Sequence, residues 1–191
     1  YNSRADDPTF NRLTFVLLGV ATPADLIQDT VRTPFNIGYG IDLHEFGKDD
    51  AQIFEQGLAR VQLGQPHSLL SRIFHWTNGH PYLTQKICKA ITDEAEKSWT
   101  DTDVDTLVHH LFLSEEGRQE ENLQFIQAYI DRNPHRVELL TLYRKIYKGQ
   151  QILEDKRSLE QNYLKLSGLV RPEKGEFEVR NEIYRQAFSL D

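Results

Sequence analysis

Methionine is absent from these 191 residues and cysteine occurs once. No apolar run approaches the roughly 20 residues that a membrane-spanning helix needs. Each absence excludes something. Without a first methionine, the sequence is expected to be a processed or excised piece of a longer reading frame. A single cysteine, Cys88, rules out an internal disulfide and points to a reducing, cytoplasmic setting. No charged start followed by a short apolar core opens the chain, so no export signal is expected, and no membrane partner. A phosphate cradle is also missing. Gly47-Lys48 has Asp42 where the first glycine of a P-loop belongs, and Asp49 where the magnesium-binding Ser or Thr belongs. The apolar run Leu13 to Leu18 is not followed by the acids that a magnesium-holding strand carries. The histidines are badly spaced for zinc. His109 and His110 are helix neighbours that diverge by about 100 degrees, and His75 and His80 lie on opposite sides of a break.

What is present describes a soluble globular chain, with 39% hydrophobic and 27% charged residues. Its length fits one large domain or two small ones. The net charge of −7 is unevenly spread: residues 1 to 133 hold 11 Lys plus Arg against 20 Asp plus Glu, and residues 134 to 191 hold 11 against 9. An acidic front disfavours phosphate-backbone binding, and a mildly basic tail permits nucleic acid without pointing to it.

In chain order, Leu13-Thr14-Phe15-Val16-Leu17-Leu18, ended by Gly19, predicts a strand buried on both faces. Thr22-Pro23-Ala24-Asp25 then has the form of a helix cap with proline at the first helical position. Ligands in open parallel sheets sit beyond the carboxyl ends of strands, which makes Gly19 to Thr22 a candidate ligand edge. Ile41 and Leu43 suggest a short alternating strand. From Asp49 the periodicity turns helical. Apolar stripes run through Ile53, Phe54, Leu58 and Val61, then through Leu69, Leu70, Ile73, Phe74 and Trp76. Further helices carry Leu83, Ile87 and Ile91, then Val104, Leu107, Val108 and Leu111 behind a threonine cap, then Leu123 to Ile130, until Asn133-Pro134 interrupts. The tail changes grammar. A helix through Leu139 to Tyr147 ends at Gly149, and a brief extended piece, Gln151-Ile152-Leu153, follows. A Ser158-capped helix runs to Gly168, two strands meet at a Glu173-Lys174-Gly175 turn, and Asn181 caps a last short helix. That order is a winged-helix plan.

Between the second and third helices of the bundle, Thr77-Asn78-Gly79-His80-Pro81 reads as a hinge. Asn78 and Gly79 tolerate a left-handed backbone after a helix, and Pro81 suits the first position of the next. His80, at a turn, is expected to be solvated. Trp76 and Trp99 read as core residues.

Three stretches carry a family resemblance: Arg12 to Leu26, Thr33-Pro34-Phe35-Asn36-Ile37-Gly38, and Gly79-His80-Pro81-Tyr82-Leu83-Thr84-Gln85-Lys86. Leu166-Ser167-Gly168-Leu169-Val170 and Asn181-Glu182-Ile183-Tyr184 complete it. With these residues the chain resembles the C-terminal part of the AAA-like domain of STAND-type nucleotide switches, found at the head of bacterial, chiefly cyanobacterial, multidomain signalling proteins. The resemblance implies a fold that is mainly α with minor β. Residues 1 to 47 would be the remnant of an α/β core, 48 to 133 a helical lid bundle, and 134 to 191 a winged helix. It implies ATP or ADP as the ligand of the parent protein, bound weakly or not at all by this piece. It also implies an upstream NTPase core and effector domains of the same protein as partners. Residue by residue, Gly79 and Pro81 would form the Gly-x-Pro element near the adenine, and Thr22 would be the sensor nearest the γ-phosphate. Arg180 would stand where related switches place a histidine on the β-phosphate. Each has a plainer alternative, Thr22 as a helix cap and Arg180 as a surface strand residue. Because both Walker elements are missing, this piece alone should not hydrolyse ATP.

Two other functions fit the residues. A winged-helix DNA reader would use the helix from Ser158 to Leu166, but that helix offers only Lys165 as a cation. A protein-interaction module would use the acids Asp101, Asp103 and Asp105, which equally suit a helix N-terminus.

Overall fold

A computed structural model describes residues 6–14, 16, 41, 43–47, 49–59, 66–94 and 98–190. They fall into two units, residues 1–38 and residues 39–191. In the first unit, Asp7 accepts a hydrogen bond from the Thr9 amide and caps a 3-10 helix, Pro8–Arg12. Leu13, Thr14 and Val16, the described part of the expected buried strand, belong to no strand. Leu13 and Val16 are 48% and 75% exposed. A strand needs a hydrogen-bonded neighbour to satisfy its backbone, and the sheet formed among the described residues contains only the two strands of a hairpin near the end of the chain. The rest of that run, Thr22 and the stretch from Thr33 to Gly38 lie outside the described residues.

The second unit is mainly helical with a small antiparallel sheet. Its first helices are α1 (Ala51–Ala59), α2 (Pro66–Thr77), α3 (Pro81–Asp93), α4 (Asp101–Val108) and α5 (Glu121–Asp131). Between α4 and α5 lie a π-helical turn, His109–Leu113, and a 3-10 turn, Gly117–Gln119. The start of α4 shows why these boundaries fall where they do: the Thr100 hydroxyl accepts from the Asp103 amide while the Asp103 carboxylate accepts from the Thr100 amide. Two orphan donors are thereby satisfied. The expected stripes close the core, with Leu58, Leu69, Leu70, Ile73, Leu83, Ile87, Ile91, Val104 and Val108 all buried, while Leu107 and Leu111 are partly buried and their neighbour Phe112 takes a core position. Two members of those stripes turn outward, Ile53 and Phe125. Ile41 and Leu43 are likewise exposed and form no strand. Arg72 on α2 grips Asp105 on α4 through Nε and Nη2, both at 2.7 Å, and Trp76 Nε1 adds a third bond at 2.7 Å. Trp76 and Trp99 are both buried, as their sequence context suggested.

The remaining elements are α6 (Arg136–Tyr147), α7 (Leu159–Leu166), β1 (Val170–Glu173), β2 (Glu176–Val179) and α8 (Glu182–Ala187). The hairpin pairs Val170 with Val179 and Glu173 with Glu176. Its two-residue loop, Lys174-Gly175, has φ of 51° and 83°, the left-handed pair that matches the twist of the flanking strands. Leu153 bridges to Glu176, and the Phe177 amide donates to Ile152 O, so the segment before α7 extends the hairpin at its edge. Ser158 and Asn181 cap α7 and α8 as expected, accepting from the amides of Gln161 and Tyr184. Leu139, Tyr143, Ile146, Leu164, Leu169 and Ile183 carry the apolar core through this part of the chain.

Candidate functional site

The hinge between α2 and α3 collects contacts from three distant parts of the second unit. Asn78 and Gly79 adopt φ of 49° and 74°. This left-handed pair turns the backbone out of α2, and the buried Thr77 hydroxyl ties the turn by bonding Ile73 O and the Thr84 hydroxyl at 3.0 and 2.8 Å. Glycine is called for at position 79 by its left-handed φ and by the close approach of the Phe46 backbone. The Gly79 carbonyl accepts from the Phe46 amide at 2.8 Å, and a Cβ there would sit 2.1 Å from Phe46 O. Asn78 Nδ2 then donates to Arg180 O at 3.1 Å, across 102 residues of sequence.

His80, expected at a solvated turn, is instead 8% exposed and caps α3. Its bonds show why it can be buried. Nδ1 accepts from the Leu83 amide at 3.5 Å, and Nε2 lies 3.2 Å from Tyr184 Oη, which donates to Asn122 Oδ1 at 2.5 Å. With Nδ1 accepting, the proton belongs on Nε2, and the chain runs from His80 through Tyr184 to Asn122. This arrangement needs a neutral ring. Burial, and secondarily the Arg180 charge, lower the His80 pKa to about 4.

Charge gathers on the hairpin side. Strand alternation puts Arg171, Glu178 and Arg180 on one face of the hairpin, with the buried Val170 and Val179 on the other. Glu45 reaches both cations, accepting from Arg180 Nε at 2.7 Å on Oε1 and from Arg171 Nη1 at 3.1 Å on Oε2. Arg171 also donates to Glu178 Oε1 through Nε and Nη2, and Glu173 lies 3.5 Å from its Nη2. Burial pushes the Glu45 carboxyl upward, but the Arg180 hydrogen bond and the charges of Arg180 and Arg171 outweigh it and hold the group below its ordinary value. On the α5 side, the buried Glu120 accepts from Tyr82 Oη and, at 3.1 Å, from Lys86 Nζ, while its other oxygen caps α5 at Asn122 and Leu123.

Of the residues singled out from sequence, Gly79 lies in the hinge, Pro81 is the first residue of α3, and Arg180 is joined to the hinge by the Asn78 bond to its carbonyl. Thr22 lies outside the described residues. The acids Asp101, Asp103 and Asp105 lie on α4, where Asp103 and Asp105 are bonded to Thr100 and to Arg72 with Trp76. Sequence reasoning missed Glu45, Arg171, Asn122 and Glu120. Tyr184 was legible only as a core residue, and its hydroxyl partners 62 and 104 residues away left no local signal.

Residues 1–190 match the model of the AAA-like domain family. The chain belongs to that family. An AAA-like domain is a nucleotide-binding-related module. This AAA-like chain is also 36% identical, over 99% of its length, to an uncharacterized WD repeat-containing protein of Synechocystis sp.. It spans 16% of that relative, which is a much larger protein. No solved structure matches it. Among the described residues of this AAA-like domain, no group of three or more His, Cys, Asp or Glu could hold a metal ion, and no helix is long and apolar enough to cross a membrane.

Proposed function

We propose that this chain is the helical lid and winged-helix part of a STAND-type, ATP-binding signalling switch whose catalytic core is supplied by the same longer, cytoplasmic protein. One observation carries this reading. The Gly79-x-Pro81 element and the Val179-Arg180-Asn181 element, about a hundred residues apart, are joined by the Asn78 bond to Arg180 O. A switch that senses base and phosphate together needs those two elements in one place. The lid would be residues 48 to 133, and the winged helix residues 134 to 191: α6, α7, the hairpin with its added edge, and α8. Within it Gly79 and Pro81 would border the adenine, Arg180 would take phosphate oxygens, and Thr22 would read the γ-phosphate. The residues suit such a ligand. A guanidinium binds phosphate and carboxylate alike, and Arg180 already holds a carboxylate. The Asn181 Nδ2 donor is buried without a hydrogen-bond partner among the described residues. Nucleotide held between core, lid and winged helix would keep the switch shut, and exchange or hydrolysis would release it to the effector domains.

The test is ADP and ATP binding by the longer protein with its flanking sequence restored, measured by calorimetry. The expected result is ADP binding that weakens when Arg180 is replaced by glutamine, with weak or no binding by the 191 residues alone; absence of binding of either nucleotide to the longer protein overturns the reading. No observation favours duplex DNA instead. On α7, Gln161 and Asn162 are bonded to Leu153 O and Lys156 O, and Lys165 lies 3.6 Å from Glu154.

A further inference from the structure

Glu45 does at the hairpin what a phosphate would do. Its two oxygens each take one guanidinium, and the three side chains are between 20% and 29% exposed. Arg171 and Arg180 are diagonal neighbours on the same face of the hairpin: Arg171 stands opposite Glu178, and Arg180 comes two residues later. Two forked cations converging on two oxygens of one anion is a geometry that phosphoryl oxygens satisfy equally well. The carboxylate now there is delivered by a segment, residues 43–47, that has no regular secondary structure. Its backbone is tied by the Phe46 amide to Gly79 O at 2.8 Å and by the Gly47 amide to Asp50 Oδ2 at 2.8 Å. Among the described residues, the other anions facing the pair are Glu178 and Glu173, both on the hairpin and both beside Arg171, so there Arg180 is neutralised by Glu45.

We propose that Arg171 and Arg180 together form an anion site for phosphoryl oxygens and that Glu45 is its built-in competitor, which has to leave for a phosphate to enter. The nature of the natural ligand, a nucleoside di- or triphosphate, rests on the function proposed above; the competition itself does not. Departure of Glu45 also pulls on the Phe46 amide, whose acceptor is the carbonyl of the hinge glycine. Phosphate occupancy is therefore coupled to the hinge through two consecutive residues.

The test titrates the full 191-residue chain with inorganic pyrophosphate at low salt, comparing the wild type with Glu45→Gln. Glutamine keeps the shape of the side chain and removes its charge. The expected result is affinity raised by about tenfold, within the usual range for one coupled interaction, and loss of that gain when Arg171→Gln is added. Equal affinity of Glu45→Gln and wild type overturns the proposal. A second measurement needs no variant: amide exchange at Phe46 in the wild type should speed up on adding pyrophosphate, and unchanged protection at saturating probe overturns the competition. The two readings fail separately. ADP binding by the longer protein without a Glu45 effect leaves the nucleotide switch standing and removes the competitor; a Glu45 effect without nucleotide binding does the reverse.

Discussion

Asp105 and Glu45 both neutralise arginine, but they sit in different kinds of structure. Asp105 is on α4 and its three donors come from Arg72 and Trp76, one turn apart on α2. Two helices would have to separate before those bonds could break, so the group acts as a brace. Its carboxyl is held below the ordinary value chiefly by the Arg72 hydrogen bond. Glu45 draws on donors 126 and 135 residues away and is presented by a non-helical segment held at few points. The chemistry is the same, but the cost of exchange differs, because one carboxylate is built into packed helices and the other into a connection.

Replacing the hinge glycine should have the largest effect on the contrast. Gly79→Ala puts a Cβ 2.1 Å from Phe46 O at a φ of 74°, so the segment carrying Glu45 has to move. Positive-φ strain together with overlap should cost about 3 kcal/mol. Urea denaturation should show that loss, and amide exchange should show lost protection at Phe46 while α2 and α4 stay protected. A variant as stable as wild type would mean that the close approach of Phe46 is dispensable.

Acid should separate the two regions next. The His80 pKa is lowered to about 4 from an ordinary value of 6.5. The unfolded chain therefore binds the proton first, and the stabilisation present above pH 6.5 is lost as pH falls toward 4. The full span is worth about 3 kcal/mol. The carboxylates respond in a lower window. The stabilisation from Asp105, whose pKa is lowered from 3.8, is lost only below that value. Denaturation at pH 7 and pH 4.5 should thus weaken the hinge before the brace, and His80→Gln should flatten the slope. An unchanged slope in that variant would assign it to other groups.

Asp105→Asn should cost less, about 1–2 kcal/mol, because Arg72 and Asp105 are each about a third exposed and solvent takes up part of the loss. Pyrophosphate affinity should stay as in wild type, since the brace is not the exchangeable pair. The smallest effect belongs to Thr100→Ala. It removes half of the capping box at the start of the helix that carries Asp105 and should cost about 1 kcal/mol. Helicity lost from α4 alone, read by amide exchange, checks it.

Much of the helical layout was legible because its signals are local. Ser158 and Asn181 cap the helices they were expected to cap, and of the two threonines that could cap α4, Thr100 and Thr102, it is Thr100 that does so. Leu83, Ile87 and Ile91 lie on the buried stripe that their spacing describes. The turn at Lys174-Gly175 follows from Gly175, which accepts a left-handed backbone freely. Signals failed where neighbours decide. Ile53 and Phe125 fit an apolar stripe but stay exposed among the described residues, and His80 looked like a turn residue until Tyr184 covered it. The Gly-x-Pro hinge and Arg180 were visible, but the carboxylate beside Arg180 was not, since Glu45 and Arg171 are unremarkable charges in sequence.

Periodicity, caps and turn residues by themselves determined where the chain of the second unit is helical and where it reverses, because each depends on contacts a few residues long. Tertiary structure alone decided that two arginines of the hairpin meet around the Glu45 carboxylate, that the next residue bonds the hinge glycine, and that Tyr184 bonds His80. Those contacts span up to 135 residues. An ion pair or a buried hydroxyl bond at that separation leaves no period for a sequence to display, and exists only once the packed core has set the distances.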